Sequence, residues 1–186
     1  MNLKSDQNKR DFTFTLEPPP SKSKAEKEMR FVVQRHEASH LHYDFRLEMD
    51  GVLKSWAIPK GPSLNSKDKR LAIRVEDHPC DYIHFEGEIP EGNYGAGTVS
   101  IFDEGTYESI ENKPQKSLLE ALKDGDLKFR LNGNILKGAF SLLKLKNSDP
   151  DYWLLIKHRD KFSVSSKFNI EKIVSKQRLK EDLMEA

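Results

Sequence analysis

Two side chains within residues 41–48, Leu-His-Tyr-Asp-Phe-Arg-Leu-Glu, have the types and spacing of a metal site. Alternate side chains of a β-strand share a face, so His42 and Asp44 would lie together, opposite the apolar residues between them. An imidazole and a carboxylate two residues apart can bind one metal ion, with His36 or His40 from the turn just upstream as a third ligand. Such mixed nitrogen and oxygen ligands favour manganese, iron or zinc over calcium or magnesium.

A second predicted strand, residues 71–78, carries another row of ionisable groups on one face. Arginine binds phosphate oxygens through paired hydrogen bonds, and Arg46 extends the polar row of the first strand. Lys60, just after a third predicted strand, could add a point charge. A metal beside such cations suits phosphoryl chemistry, because both neutralise charge on the transferring group. The residues that share the face of the second strand are Arg70, Ala72, Arg74, Glu76 and His78.

Short β-rich runs separated by turns must position these side chains. Turn pairs such as Asp50-Gly51, Glu104-Gly105 and Asn132-Gly133 fall between the runs. Many short strands joined by turns predict a mainly β fold, either a sandwich or a barrel. The predicted strands open at Phe31 and then cover residues 41–49, 52–58, 71–78, 98–102, 106–107, 127–131, 135–145 and 152–157.

One or two helices are predicted to flank this sheet. Residues 117–123 form a short helix that Gly125 stops. Near the C-terminus, apolar side chains recur on one helical face. Residues 92–97, Gly-Asn-Tyr-Gly-Ala-Gly, lack the Gly-Lys-Ser/Thr of a phosphate loop, so we predict a tight turn or bulge there. The apolar residues of the C-terminal face are Ile170, Ile173, Val174 and Leu179.

Composition limits the partners and the compartment. The 31 basic and 30 acidic residues give a net charge of +1, so phosphate binding must come from a local arrangement of cations. The single cysteine, Cys80, excludes an internal disulfide and a thiolate cluster. No apolar run reaches the ~18 residues of a membrane span, and no secretory signal is visible. We expect a cytoplasmic protein with no membrane partner. Residues 1–30 are predicted to be a partly flexible arm, and residues 31–186 a single domain.

Two long stretches of the chain carry the motifs of a known family. The first is FVVQRHEASHLHYDFRLEMDGVLKSWAIPKGPS, from Phe31, and the second is KRLAIRVEDHPCDYIHFEGEIPEGNYGAG, from Lys69. They resemble the 3′-phosphoesterase domain of bacterial ligase D-type DNA repair enzymes, which has stand-alone relatives in bacteria and archaea. The resemblance implies a β-barrel enzyme that depends on Mn²⁺, with Zn²⁺ or Co²⁺ as other metals. It implies removal of a 3′-terminal ribonucleoside, followed by hydrolysis of the 3′-phosphate to a 3′-hydroxyl.

The resemblance also assigns roles to residues by their position in the motifs. His78 would protonate the leaving oxygen or stabilise the transition state as a cation, and Glu76 would orient a basic neighbour. The expected metal ligands are His36, His42 and Asp44. The expected catalytic residues are His78, Arg46, Glu76, Lys60, Arg70 and Tyr82. The expected substrate-binding residues of the N-terminal arm are Arg10, Asp11 and Glu17.

The expected partners are the 3′ ends of DNA or DNA/RNA primer–templates. No Lys-x-Asp-Gly nucleotidyl-transfer motif is present in the sequence, so a DNA ligase and end-binding proteins would act in trans. Two alternatives compete with the phosphoesterase. One is a non-haem iron oxygenase, in which His78 or His84 would join His42 and Asp44. The other is a non-catalytic module that binds DNA ends. The crowding of arginine and lysine on the polar faces favours the phosphoesterase.

Overall fold

The computed structural model describes residues 29–110, 117–146 and 151–176 of the chain. Within these described residues, nine antiparallel strands form one sheet in the order β1-β2-β3-β4-β9-β8-β7-β6-β5. β1 also pairs with β6, which closes eight strands into a barrel and leaves β5 as an extra strand. The mainly β barrel is confirmed. The strands are β1 (Arg30–Glu37), β2 (Leu41–Met49), β3 (Val52–Ile58), β4 (Lys69–Arg74), β5 (Gly87–Ile89), β6 (Gly97–Ser109), β7 (Asp126–Gly133), β8 (Lys137–Lys144) and β9 (Tyr152–Lys157).

The interior of the barrel is a solid apolar core. The ring centroid of Phe45 lies 6.4 Å from that of Trp56 and 5.8 Å from that of Phe129. Trp56 meets Trp153 edge to face at 5.8 Å, and each of these four side chains is at most 2% exposed. Side chains alone fill a barrel of eight strands. The polar residues of the predicted site must therefore lie on its outside.

A second, smaller apolar cluster covers part of the outer face of the barrel. Val32 of β1 and Leu53 of β3 point outward there and are fully buried. They pack with Tyr82 and Ile83, which belong to a 3-10 helix at Cys80–His84. Apolar burial of this kind holds the covering segment in place. The polar row of β1 and β2 shares this outer face, so the segment forms a wall beside it.

Helices flank the barrel as predicted. α1 (Leu118–Asp124) begins after Ser117, whose hydroxyl accepts a hydrogen bond from the Glu120 N–H, and ends at Gly125 in the left-handed region, φ 74°. Residues 170–176 are also helical, whereas Leu179 of the predicted face lies outside the described residues. In the part of the chain that the structure describes, no helix is long and apolar enough to cross a membrane.

The predicted strand at residues 71–78 was too long. β4 ends at Arg74. The Arg74 N–H still donates to the Asp151 carbonyl at 2.9 Å and the Val75 N–H to the Ser55 carbonyl at 3.1 Å, but the regular pairing with β3 and β9 stops there. His78 rejoins the sheet through an isolated bridge to Leu53. The polar row that the alternation predicted for one straight strand is therefore divided between β4 and an irregular segment.

β6 is one long strand where the sequence predicts two short ones. It pairs in turn with β5, β1 and β7, and the Glu104-Gly105 pair, predicted as a turn, lies inside it. A Cβ atom at Gly105 would collide with the carbonyl oxygen of Asn132. The glycine is thus required for the close approach of β7 rather than for a change of chain direction.

The C-terminal helical segment is tied to the barrel through Glu171. Its carboxylate is 3.0 Å from Arg35 Nη2 and accepts a hydrogen bond from the Tyr43 hydroxyl. Arg35 and Tyr43 are a cross-strand pair of β1 and β2. Burial by itself raises the pKa of the Glu171 carboxyl, but the contacts with Arg35 and Tyr43 outweigh it and lower the pKa. The ionised form of this carboxylate therefore stabilises the fold.

We expect the contacts of Glu171 to make the free energy of unfolding depend on pH in the acidic range. A carboxyl whose pKa is lowered on folding stabilises the protein above its unfolded value, about 4.3, and the contribution is lost as the pH falls through the folded pKa. Because the side chain is 42% exposed, we expect Glu171→Gln to lower the free energy of unfolding by only about 1 kcal/mol at pH 7. The difference from wild type should shrink at pH 3. Urea unfolding at both pH values measures it, with Glu108→Gln as an exposed control; an equal difference at both pH values would contradict it.

Candidate active site

Three side chains on the outer face of the barrel converge as a metal-ligand cluster. His36 of β1 and His42 of β2 are cross-strand partners with ring centroids 4.7 Å apart. Asp44, the next outward residue of β2, lies 3.5 Å from His36 Nδ1 and 3.7 Å from His42 Nε2 through its two carboxylate oxygens. One ligand atom of each residue lies within 4.8 Å of the others. His36 is a strand residue, so its predicted place in the upstream turn was wrong.

Main-chain carbonyls orient both imidazoles. His36 Nε2 lies 2.8 Å from the Gly95 carbonyl oxygen, and His42 Nδ1 lies 2.9 Å from the His40 carbonyl oxygen. A carbonyl oxygen only accepts hydrogen bonds, so each of these nitrogens carries a proton. In the neutral rings, the lone pairs are then on His36 Nδ1 and His42 Nε2, the two atoms that face Asp44. This arrangement is typical of histidine ligands in metal sites.

The carboxylate of the cluster is kept ionised by its surroundings. Asp44 is 6% exposed, and its Oδ2 accepts a hydrogen bond from Arg46 Nη2 at 3.0 Å. Burial by itself would raise the pKa of Asp44, but the charge of Arg46 and the contacts with the two imidazoles outweigh it and hold the pKa well below its usual range. A metal ligand must be deprotonated, and Asp44 meets this condition at neutral pH.

Arg46 is held rigidly beside the cluster. Its Nε donates to Gln34 Oε1 at 2.7 Å, and its Nη1 donates to Ser55 Oγ at 2.9 Å. Its guanidinium carbon lies 4.9 Å from the centroid of the Tyr82 ring. Gln34 is itself fixed, because its amide donates to the carbonyls of Tyr82 and Phe85. Gln34 and Ser55 were not predicted as site residues, and the one signal for them in the sequence is their position on the outward-facing side of β1 and β3.

A cavity of about 270 Å³ opens over these residues. His78, 4% exposed, forms part of its wall. The His78 Nδ1 lies 2.9 Å from the Glu76 carbonyl oxygen, and its ring is 5.1 Å from that of Tyr82. Glu76 thus contacts a basic neighbour through its main chain. The predicted residues that line the cavity are His36, His42, Asp44, Arg46, Glu76, His78 and Tyr82.

Other predicted residues lie away from the cavity or outside the described residues. Lys60 is exposed in the turn after β3, and Arg70 Nη2 is 2.8 Å from Asp68; neither lines the cavity. Arg70 shares a face of β4 with Ala72, which is fully buried in the barrel core. The predicted arm residues that lie outside the described part of the chain are Arg10, Asp11 and Glu17.

The third ligand of the cluster differs from the one that the oxygenase alternative required. That alternative joined His78 or His84 to His42 and Asp44. The cluster contains His36 instead, and the side chain of His84 is 68% exposed and lies 3.9 Å from Glu104. The nearest cation, Arg46, makes the surroundings of the cluster suitable for an anionic substrate.

Comparison with known proteins finds one family for the chain. The model of the DNA Ligase D 3′-phosphoesterase domain matches residues 34–144, more than half of the chain. The multifunctional non-homologous end joining protein LigD of Pseudomonas aeruginosa is 47% identical over 155 residues, 82% of this chain and 18% of the relative. The LigD repair protein of Mycobacterium tuberculosis is 43% identical over 148 residues, 78% of this chain and 18% of the relative. LigD of Mycolicibacterium smegmatis is 39% identical over 153 residues, which are 81% of this chain and 20% of the relative.

The chain therefore spans about a fifth of the length of the curated relatives it matches. The matched region contains His36 of β1, the whole of β2 and the segment that walls the cavity. Coverage and identity at this level are sufficient to assign the family. The chain belongs to the DNA ligase D 3′-phosphoesterase domain family.

Proposed function

We propose that this protein is a metal-dependent phosphoesterase that repairs the 3′ ends of DNA for non-homologous end joining. In this proposal it removes a 3′-terminal ribonucleoside and then hydrolyses the remaining 3′-phosphate to a 3′-hydroxyl. The observation that carries the proposal is the convergence of His36, His42 and Asp44 beside the buried Arg46 in one cavity. The family match supports the same class of reaction.

Manganese is the metal that we propose for this site. Two imidazole nitrogens and a carboxylate, with their ligand atoms within 4.8 Å of one another, form a mixed donor set that fits Mn²⁺, and also Zn²⁺ or Co²⁺. His36, His42 and Asp44 would hold the ion. When bound, it would supply positive charge at a phosphoryl oxygen and activate water for attack.

Arg46 would bind the phosphate. A guanidinium carries five N–H donors, and in the described part of the chain three of its hydrogen bonds go to Gln34, Ser55 and Asp44. Two donors are then available for phosphate oxygens. Because the side chain is 3% exposed, its charge acts in a region of low dielectric, where it stabilises negative charge more strongly than in water.

His78 would act on the leaving oxygen. The Glu76 carbonyl accepts a hydrogen bond from its Nδ1–H, and in this proposal Nε2 would be the nitrogen that acts on the substrate. A protonated imidazole could donate its Nε2 proton to the departing oxygen, which leaves as a hydroxyl, or it could stabilise the transition state as a cation. Tyr82 packs against both His78 and Arg46 and would keep the two groups on the same side of the phosphate.

The substrates in this proposal are DNA or DNA/RNA primer–templates with unligatable 3′ ends. The net charge of +1 limits non-specific attraction to duplex DNA, so binding should involve a few phosphates and depend modestly on salt. A DNA ligase and end-binding proteins would then act on the repaired end. Such a role in DNA repair corresponds to a cytoplasmic location.

The proposal is tested with metal-stripped protein and two labelled primer–templates, one ending in a 3′-phosphate and one in a single 3′-ribonucleotide. Each is incubated with and without Mn²⁺, beside a His42→Ala variant. We expect Mn²⁺-dependent conversion of the 3′-phosphate to a 3′-hydroxyl, lost in the variant, and shortening of the ribonucleotide substrate through a 3′-phosphate. Zn²⁺ and Co²⁺ run in parallel compare the metals.

Each outcome of this assay has a definite meaning. Folded, Mn²⁺-loaded protein that leaves both substrates intact would contradict the proposal. Turnover that persists in His42→Ala would contradict the assignment of the cluster. Hydrolysis of the phosphate without shortening of the ribonucleotide substrate would restrict the activity to the second step.

A further inference from the structure

Tyr94 is an exposed aromatic side chain at the mouth of the active-site cavity. It lines the cavity and is 50% exposed. The other exposed large apolar side chains among the described residues, Leu41, Leu71 and Phe162, are each 38% exposed. Exposed aromatic surface beside a polar cavity is a common means of binding a ligand that has both an apolar and a charged part.

The turn that carries Tyr94 is linked directly to the metal-ligand cluster. It joins β5 to β6, and glycines at 92 and 95 adopt left-handed φ values of 89° and 82°, which only glycine adopts readily. The Ala96 N–H donates to the Asn93 carbonyl at 3.1 Å within the turn. The next carbonyl after Tyr94, that of Gly95, binds His36. Tyr94 is therefore only one residue away from a main-chain group that contacts the ligand His36, which places its ring close to the cluster.

The cavity is charged at its buried wall and aromatic at its opening. Its buried wall contains the ligand cluster and Arg46, which suit a phosphate, whereas Tyr94 at the opening offers an aromatic face. A phosphate bound at the wall through the terminal 3′ oxygen leaves the sugar and base of that nucleotide at the opening. Every nucleobase has a π face, so stacking on an aromatic ring binds the base without selecting its identity.

We propose that Tyr94 forms a nucleoside subsite, in which its ring stacks on the base of the terminal nucleotide and positions the 3′-phosphate for reaction. This inference rests on the proposed function, because it assumes a nucleic-acid 3′ end in the cavity. It assigns sequence-independent recognition of the terminal base to one side chain of the β5–β6 turn. The tyrosine hydroxyl is not needed for stacking, so phenylalanine should replace it.

The test compares two 3′-phosphorylated duplexes, one with a normal terminal base and one with an abasic terminal sugar. Tyr94→Ala should lower kcat/KM roughly 10-fold or more on the substrate with a base, as expected for one lost stacking contact, and less than 2-fold on the abasic substrate. Tyr94→Phe should stay within 2-fold of wild type on both. Phe162→Ala, an exposed aromatic residue outside this cavity, is the matched control and should change neither rate.

A binding measurement separates failure of this inference from failure of the proposed function. A duplex with 2-aminopurine as the terminal base, mixed with wild-type protein, should lose fluorescence on stacking, and Tyr94→Ala should abolish that loss. Quenching without turnover would sustain the subsite and overturn the proposed function. Equal losses of kcat/KM on both substrates in Tyr94→Ala, or quenching that persists in that variant, would overturn the subsite.

Discussion

Replacing Asp44 with asparagine is expected to abolish Mn²⁺ binding and to lower the rate of 3′-phosphate hydrolysis on the order of 10³-fold. Asp44 supplies the negative charge of the cluster and faces both imidazoles, at 3.5 Å and 3.7 Å. Without that charge, a divalent cation would face two neutral rings and the nearby guanidinium of Arg46. Titration calorimetry with Mn²⁺ and initial rates on the 3′-phosphate substrate measure the two effects.

Two further variants make the Asp44 result specific. Asp50→Asn is the same chemical change in the exposed β2–β3 turn and should leave metal affinity and rate unchanged. Because loss of the Asp44 charge leaves Arg46 buried with an unpaired charge, the variant will also be less stable. His42→Ala avoids this problem, since the His42 side chain is 23% exposed. Wild-type metal affinity in both cluster variants would show that the metal binds elsewhere.

Replacing Arg46 with lysine is expected to lower kcat roughly 10²- to 10³-fold while changing metal affinity little. The positive charge is kept, but a lysine ammonium is a point charge without the planar fork of arginine. It cannot bond Gln34, Ser55 and Asp44 together and still present two parallel donors to a phosphate. Steady-state kinetics measure the loss of kcat. Inhibition by inorganic phosphate measures the loss of phosphate binding, which should raise the inhibition constant.

Arg130→Lys is the matched control for the Arg46 variant. Arg130 is an exposed arginine of β7 that pairs with Glu108 at 3.4 Å, and it does not line the active-site cavity. This control should match wild type in kcat, in inhibition by phosphate and in metal affinity. A kcat for Arg46→Lys within 3-fold of wild type would mean that Arg46 supports the fold of the site and does not bind the reacting phosphate.

The local sequence pattern was sufficient to predict β2, the strand that carries most of the site. β2 spans Leu41–Met49 as predicted, because strict alternation and the Asp50-Gly51 turn are both encoded within a few residues. The pair His42 and Asp44 follows from that alternation alone. The choice of His36 over His40 does not, since it depends on the register between β1 and β2. The family resemblance supplied it, and the cross-strand pairing explains it.

The face of β4 could not be predicted from alternation. A row of Arg70, Ala72 and Arg74 predicts a polar outer face, yet Ala72 is fully buried in the barrel core. Which side of a strand faces inward is decided by its neighbours in the closed sheet, and these pairings connect residues far apart in sequence. Glu76 and His78 reach the cavity because the chain leaves β4 after Arg74, an irregularity without a periodic signal.

The two groups that orient the imidazoles and select their tautomers belong to the main chain. A side-chain partner disappears with one substitution, whereas the carbonyls of residues 40 and 95 remain after any substitution that keeps the path of the backbone. Position 40 can therefore vary freely in side chain and still serve its neighbour. Position 95 cannot, because φ there is 82°. The orientation of both histidine ligands therefore depends on backbone geometry in these two turns. An insertion in either turn would disturb the ligands more than most point mutations would.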